Sequence, residues 1–259
     1  MSAHPIVALW SHPRSTSTAF ERVMRARGDM DCLHEPFMYD YYVHRKCRVM
    51  PHFEVQEGHP VAYEAIRDSI LGRAEARPVF FKDMSYYVVP RIVEDEAFSC
   101  RIGNCFLIRD PQAAIASYFK LDPDVTCEEI GIEAQWRHFD ALRATTGKAP
   151  LVLRSEDVRR DPRGTIGALW AAFGLDFVPG AFEWDGGTPA DWAQVEGWHG
   201  DVAASRSIRP LTEADLLAQA RDFRDLAERH PNMRRYLDHH RPFHERLQAF
   251  ASQGRTAFS

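Results

Sequence analysis

The segment Ile6-Val-Ala-Leu-Trp-Ser-His-Pro-Arg-Ser-Thr-Ser-Thr-Ala-Phe20 constrains this chain more than any other stretch. Its continuous apolar run, Ile6 to Trp10, is what a strand covered on both faces requires. The run empties into a turn of successive hydroxyl residues, Ser15, Thr16, Ser17 and Thr18. Phe20, Val23 and Met24 then share one helical face, Arg27 ends the apolar stripe with a charge, and Gly28 ends the helix. Thr18-Ala-Phe-Glu21 has capping-box spacing. A strand that enters a helix through such a turn leaves the first helical N–H groups pointing at one spot, which makes an anion site. Arg14 adds a fixed charge able to grip an oxyanion with two parallel hydrogen bonds.

As far as about residue 170, strand-like runs alternate with helical patterns. Further strands are expected over Met30 to His34, Val79 to Lys82, Cys105 to Ile108 and Leu151 to Leu153. Helices are expected around Tyr63 to Ala76, Gln112 to Lys120 and Glu128 to Thr145. Another follows Pro162, with Ile166, Leu169, Trp170 and Phe173 on one face and Gly174 closing it. This alternation predicts an α/β chain with a P-loop-like, three-layer fold, its mostly parallel central sheet flanked by helices. One domain over 1–259 is expected. It would carry a loop-rich cover over 175–210, with Trp184, Trp192 and Trp198 ordering it, and C-terminal helices over 211–259. In the first of these, Thr212 to Arg229, Leu216, Phe223 and Leu226 would face inward.

Composition narrows the function classes. A chain of 259 residues with 45% apolar and 27% charged residues has room for a full core. No run approaches the ~20 apolar residues of a membrane span, and the first apolar run is too short for a secretory leader, so a cytoplasmic protein is expected. With a formal net charge of −5, bulk attraction to nucleic acid or to an acidic membrane is not implied. An anionic ligand must therefore be held by a local cluster of donors. Cys32, Cys47, Cys100, Cys105 and Cys127 lack paired spacing and read as free thiols.

Pro13, Arg14, Ser15, Ser17 and Thr18 resemble the 5′-phosphosulfate loop of the sulfotransferase superfamily, written P-[RK]-S-G-[ST]-T. Thr16 stands where that loop has glycine. A β-branched residue disfavours positive φ, so the loop must avoid that geometry or bear strain. Arg109, at the end of a strand, precedes Ser117 by eight residues, as in the family's 3′-phosphate motif. Leu153-Arg-Ser-Glu-Asp-Val-Arg-Arg-Asp-Pro162 and Phe173-Gly-Leu175 resemble a third family segment, with Ser155 in the usual tyrosine position. The resemblance runs from Pro5 to about Leu175. The R-K-G-x-x-G-D-W segment of the animal cytosolic enzymes is absent, and Arg206 and Arg209 are candidates to replace its contacts.

The resemblance implies a transferase that takes its sulfuryl group from 3′-phosphoadenosine-5′-phosphosulfate (PAPS) and releases adenosine 3′,5′-bisphosphate (PAP), without a metal. The acceptor would be a small-molecule hydroxyl or amine, and a homodimer is allowed. Arg14, Ser15, Thr16, Ser17 and Thr18 would hold the 5′ end, and Arg109 and Ser117 the 3′-phosphate. Lys82 matches the lysine of the family's K-T-H segment, but Met84 occupies the position of the histidine base. Glu35, in Cys32-Leu-His-Glu-Pro-Phe37, is then the expected base, and Asp83 is its rival. Strand alternation points His34 away from Glu35. His12 is a candidate 5′-phosphate donor.

Tyr39, Tyr41, Tyr42 and His44 would line an acceptor pocket or serve as core or dimer contacts. His239, His240 and His244 look like a ligand cluster, yet Pro242 is expected to interrupt their helix. Two other readings stay open. A nucleotide kinase would need the Walker glycines and lysine, yet no glycine precedes Gly28 and no lysine precedes Lys46. A nucleotide-binding scaffold that has lost turnover would account for the missing histidine.

Overall fold

A computed structural model describes residues 4–198 and 204–254. Its five strands are β1 (Ile6–Ser11), β2 (Asp31–His34), β3 (Val79–Met84), β4 (Gly103–Ile108) and β5 (Leu151–Arg154). They form one sheet in the order β2-β3-β1-β4-β5, and every pairing in it is parallel. After β3 the chain crosses to the far side of β1. The carboxyl ends of β1, β3 and β4 therefore flank the point where the strand order reverses, the usual ligand crevice of an open α/β sheet.

The helices are α1 (Ser17–Ala26), α2 (Tyr63–Arg73), α3 (Ser85–Val88), α4 (Arg91–Glu94), α5 (Glu96–Arg101) and α6 (Pro111–Phe119). They continue with α7 (Ile132–Thr146), α8 (Ser155–Arg160), α9 (Pro162–Ala172), α10 (Glu213–Arg229) and α11 (Asn232–Gly254). Strand alternation divides the interior into two cores. Val7, Leu9, Phe80 and Leu107 meet Phe20, Val23 and Trp170 on one face of the sheet. Ala8, Trp10, Phe81 and Phe106 meet Phe37 and Phe139 on the other. The molecule is thus a three-layer α/β fold, with every residue of β1 and β3 buried.

Several local expectations change. Gly131 (φ 79°) separates a short 3-10 turn, Glu128–Ile130, from α7, where one helix was expected. In α10, Phe223 and Leu226 are buried but Leu216 faces solvent. A capping box forms there instead of at α1. Thr212 Oγ1 accepts from the Asp215 amide (3.1 Å), and the Asp215 carboxylate accepts from the Thr212 amide (3.0 Å). Pro242 lies inside α11 without ending it.

The cover over α1 is held by its indoles. Trp184 donates to the Ser205 carbonyl (2.8 Å), Trp192 to Glu21 (2.9 Å) and Trp198 to the Pro51 carbonyl (2.9 Å). Part of this expected cover, 199–203, lies outside the described residues. Among the described residues no helix is long and apolar enough to cross a membrane.

Candidate active site

A cavity of about 650 Å³ opens at the carboxyl ends of β1, β3 and β4. The loop from Pro13 to Ala19 forms one wall, and Arg109, Arg159 and Arg209 extend it. Glu35 and Lys82 line the cavity at the β3 end. Met50, Met84, Tyr86, Tyr87, Tyr118 and Trp198 give another part of the wall an apolar, aromatic character.

The Pro13–Ala19 wall bears the strain that a threonine in the glycine position implies. Arg14 (φ 64°) and Thr16 (φ 70°) both adopt the left-handed region. For a residue with a Cβ this costs roughly 1–2 kcal/mol, and it persists only where the surroundings hold it. Thr16 is held by Ser155, the two hydroxyl oxygens lying 2.6 Å apart, and its carbonyl accepts from the Phe20 amide (3.1 Å). Thr16 therefore precedes α1 as its cap residue with no side-chain bond into the helix. The expected capping box at Thr18 and Glu21 does not form, because the helix starts earlier and Glu21 turns into the interior. Ser15 Oγ is buried within this wall and has no hydrogen-bond partner among the described residues. A buried hydroxyl left unsatisfied costs about 1–3 kcal/mol, so it marks a place where a ligand oxygen fits.

The second motif docks directly onto the first. The Arg109 guanidinium donates to the Arg14 carbonyl (2.5 Å) and to Gln219 Oε1 (3.1 Å). Arg14 Nε donates to Ser117 Oγ (3.0 Å), and its Nη1 to the Trp198 carbonyl (3.0 Å). Burial pushes Arg109 down to about 10, which still leaves it charged at neutral pH. The sequence reading had missed Arg159, whose side chain donates to the Arg209 and Pro210 carbonyls and pairs with Asp215 (3.3 Å). Its signal was the Arg159-Arg160 pair inside the third family-like segment. Arg209 joins the same Asp215, whereas Arg206 does not line the cavity.

His12 is no phosphate donor. Its Nε2 accepts from the Arg109 amide (3.0 Å), and its Nδ1 bonds the Pro13 carbonyl (3.1 Å). Both ring nitrogens are thus used by backbone. Burial, followed by neighbouring cationic groups, lowers its pKa to about 3, and it stays neutral.

At the other end, register explains the grouping. His34 pairs with Lys82, and Lys82 with Leu9, so these side chains share the α1 face of the sheet. Asp83 pairs with Trp10 on the opposite face. The Asp83 carboxylate accepts from the Phe37 amide (2.8 Å) and the Met84 amide (2.9 Å) and does not line the cavity. Burial, then the Glu35 charge, push Asp83 well above the usual carboxylate range. Its geometry is that of a turn anchor outside the cavity, which favours Glu35 over Asp83.

Glu35 leaves the strand with φ 44°. That reversal breaks the alternation assumed for His34. The His34 Nε2 lies 3.8 Å from Glu35 Oε1 rather than pointing away. Lys82 Nζ pairs with the same carboxylate oxygen and stands 3.4 Å from Thr18 Oγ1, while the Tyr87 hydroxyl donates to Glu35 Oε2 (3.2 Å). Burial alone would raise the Glu35 carboxyl, but the Lys82 ammonium outweighs it and holds Glu35 below the usual range. Glu35 and Asp83 are thus driven apart in opposite directions by their surroundings, and only the ionised one faces the cavity.

Of the roles open to Tyr39, Tyr41 and Tyr42, the structure shows the core. All are buried, and Tyr39 donates to Gln194 Oε1 (2.6 Å). His44 pairs with Asp40 (3.1 Å) outside the cavity. The tyrosines that do line it, Tyr86, Tyr87 and Tyr118, sit in α3 and α6, where no pattern singled them out. The ligand atoms of His239 and His240 in α11 and of Cys127, just before the turn Glu128–Ile130, lie within 4.8 Å of one another. Both His240 nitrogens meet backbone there, at Cys127 O (2.7 Å) and Glu133 N (3.3 Å). His244 stands outside that group.

Comparison with known proteins agrees with this layout. A curated relative, branched-chain-amino-acid aminotransferase-like protein 2 of Arabidopsis thaliana, is 25% identical over 231 residues, which cover 83% of this chain. The match spans only 40% of that relative's length. Among solved structures, the sulfotransferase domain from the curacin biosynthetic pathway matches with a TM-score of 0.50 at 12% identity, covering 88% of this chain and 98% of that one. A sulfotransferase from Alicyclobacillus acidocaldarius gives 0.50 at 13% identity, covering 79% and 98%. These two share the fold. The model of the sulfotransferase domain matches residues 5–228, from the start of β1 almost to the end of α10 and so across every cavity wall described above. By that match the chain belongs to the sulfotransferase-domain family.

Proposed function

We propose that this protein moves a sulfuryl group from PAPS to the hydroxyl or amine of a small acceptor with an apolar body. The observation that carries the reading is the meeting of two distant anion motifs: Arg109 lines the same cavity as the Pro13–Ala19 loop, while Ser117, which does not line it, is bonded by Arg14. Arg109 holds the Arg14 carbonyl, and Arg14 holds Ser117. A ligand with two separated phosphate groups needs that arrangement, and the unsatisfied Ser15 hydroxyl fits an oxygen of its 5′ end.

The donor would supply an activated sulfuryl group, and the chain's own residues do the rest. The phosphate loop, from Arg14 to Thr18, would hold the 5′ end. Arg109 and Ser117 would hold the 3′-phosphate, the group that distinguishes this donor from ATP. Lys82, beside Thr18 Oγ1, places a cation where charge develops during transfer. Glu35, ionised in the cavity, would take the acceptor's proton. Met84, Tyr86 and Tyr118 would pack against the acceptor's apolar part.

Thermal shift tests the donor. PAP should raise the melting temperature clearly, and ATP with magnesium much less. A ligand at a hundred times its Kd stabilises by about 2.7 kcal/mol. Equal or greater stabilisation by ATP would overturn the reading.

A further inference from the structure

The two oxygens of the Glu35 carboxylate keep different company. Oε1 pairs with Lys82, whose Nζ stands 3.4 Å from Thr18 Oγ1 in the first turn of α1. Oε2 accepts from the Tyr87 hydroxyl at 3.2 Å. Lys82 thus ties one oxygen to the Pro13–Ala19 wall. Tyr87 ties the other to the aromatic wall, which it helps to form.

The meeting of Glu35 with Tyr87 is fixed by backbone on both sides. Glu35 turns off β2 with φ 44°, and its amide donates to the Lys82 carbonyl (2.9 Å). Tyr87 belongs to α3, the helical turn that begins as β3 ends. The buried Asp83 braces the two segments. Its carboxylate accepts from the Phe37 amide (2.8 Å), two residues beyond Glu35, and from the Met84 amide (2.9 Å), at the start of α3. Arg45 donates to the Tyr87 carbonyl, and the Val89 amide closes α3 on the Ser85 carbonyl (3.0 Å).

We propose that Tyr87 is the positioning residue for the proton transfer, holding Glu35 so that Oε2, and not Oε1, takes the acceptor's proton. The inference rests on the reading of Glu35 as base. An ammonium has only donors, so a proton arriving on Oε1 would face the N–H groups of Lys82. A phenolic hydroxyl is both donor and acceptor and turns about its C–O bond, so it suits an oxygen that changes from acceptor to donor.

The step balances as follows in atoms and electrons. The acceptor's oxygen or nitrogen bonds to sulfur, the bond from sulfur to the donor's bridging oxygen breaks, and that electron pair stays with PAP. The acceptor's O–H or N–H bond breaks and an O–H bond forms at Oε2. Tyr87 then stops donating to Oε2 and accepts from it. Oε1, now the carbonyl oxygen, still accepts from Lys82. Each oxygen of Glu35 therefore has a partner before the transfer and after it.

Charged and titratable groups face this pair from every side. Lys82 and Asp83 lie on β3, His34 on β2 and Glu21 on α1. Around Tyr87 stand Tyr42, Tyr86, Tyr118 and Arg45. Burial, then Tyr42 and Glu35, push the Tyr87 hydroxyl well above its usual range, so it stays protonated and able to donate. A donor to the anion lowers the pKa of a carboxyl, and its removal raises it.

Carbon-13 titration of the Glu35 carboxyl, with PAP bound and without it, reads this bond and needs no acceptor. In Tyr87→Phe the midpoint should rise by about one unit, the scale expected when an anion loses a hydrogen-bond donor. A ring-fluorinated tyrosine placed at position 87 keeps the shape and makes the hydroxyl a stronger donor, so there the midpoint should fall. Opposite shifts from the two replacements are not produced by a loosened fold. An unmoved midpoint in both would overturn the proposal and leave Glu35 as base. If Tyr87→Phe fails to fold, the fluorinated protein decides alone: an unmoved or raised midpoint would overturn the proposal.

Turnover in Tyr87→Phe should fall about tenfold, at the low end of what a proton-transfer group contributes, with PAP affinity within a few fold. The acid limb of its pH–rate profile should move up with the carboxyl midpoint. A loss of turnover with an unmoved limb would show that Tyr87 only packs the wall, and would overturn the proposal. Failure of PAP to bind the wild type would instead remove the donor reading, and this step with it.

Discussion

At the Pro13–Ala19 end of the cavity, the wall is built by residues close together in sequence. Ser15 to Thr18 form one turn, and strand and helix direction alone aim its N–H groups. At the Glu35 end, function depends on contacts between distant elements. Lys82 arrives from β3, Tyr87 from α3, and Glu21 behind His34 from α1. On the reading proposed above, the first end would bind largely through backbone N–H groups. The second concentrates its chemistry in a few buried charges that depend on one another. Removing one partner of a buried pair typically costs 3–5 kcal/mol, because the other charge is left uncompensated.

Glu35→Gln should therefore break the contrast most sharply. Turnover should drop by about 10²–10⁴-fold, the usual contribution of a general base. The melting temperature should also fall, because Lys82 loses its counter-charge in the interior. PAP affinity, measured by calorimetry on the folded protein, should remain within a few fold. Asp83→Asn is the control: it should lower stability through the Phe37 and Met84 amides but leave turnover within a few fold below its melting temperature. Loss of turnover in Asp83→Asn with Glu35→Gln active would move the base to β3.

Arg109→Ala probes the other end, with a smaller effect. A charge-assisted hydrogen bond contributes roughly 1.5–3 kcal/mol, so PAP affinity should weaken about ten- to a hundredfold. Binding of adenosine 5′-monophosphate, which lacks the 3′-phosphate, should barely change. Equal losses for both nucleotides would mean that Arg109 acts by holding the Arg14 carbonyl, that is, by shaping the loop.

The two carboxylates also predict opposite responses to pH. Glu35 is depressed by Lys82, so its contribution is present above the unfolded value of about 4.3 and is lost as pH falls through its lower folded value. Asp83 is raised by burial, so its contribution is present below the unfolded value of about 3.9 and is lost as pH rises through its higher folded value. In melting curves taken across pH, Glu35→Gln should flatten the acid side, and Asp83→Asn should relieve a decline at higher pH. The same flattening in both variants would show that the two groups titrate as one unit.

Much of this was legible in the sequence, for identifiable reasons. All five strands were, most plainly β1, whose burial on both faces reads as a continuous apolar run. The turn from β1 into α1 was legible because its signals are local. The approach of Glu35 to His34 was not: it depends on a positive φ at Glu35, a non-glycine residue that nothing in composition marks. Glu21 has capping-box spacing from Thr18, yet its carboxylate is taken up by His34, Arg25 and Trp192, the last of them 171 residues away. The lining tyrosines could not be told from core, since ring burial and cavity lining leave the same apolar signal.

The smallest expected effect concerns Thr16, where loop chemistry and long-range contact meet in one residue. Its φ of 70° is the geometry that glycine adopts freely. Thr16→Gly should relieve roughly 1–2 kcal/mol of backbone strain. Against this stand the flexibility that glycine adds to the unfolded chain, about 0.4–1 kcal/mol, and the lost contact with Ser155, about 1 kcal/mol. In the wild-type background these nearly cancel, and the melting temperature should hardly move. Ser155→Ala removes the hydroxyl partner in advance. In that background Thr16→Gly loses no hydrogen bond, and the relief should appear as a gain of up to about 1 kcal/mol, or roughly 2–4 °C for a chain of this size. A four-corner comparison of the two single variants, the double variant and the wild type isolates the coupling. If Thr16→Gly gives the same shift in both backgrounds, the Thr16–Ser155 contact contributes nothing, and what holds the strained turn is the Arg109 grip on the Arg14 carbonyl.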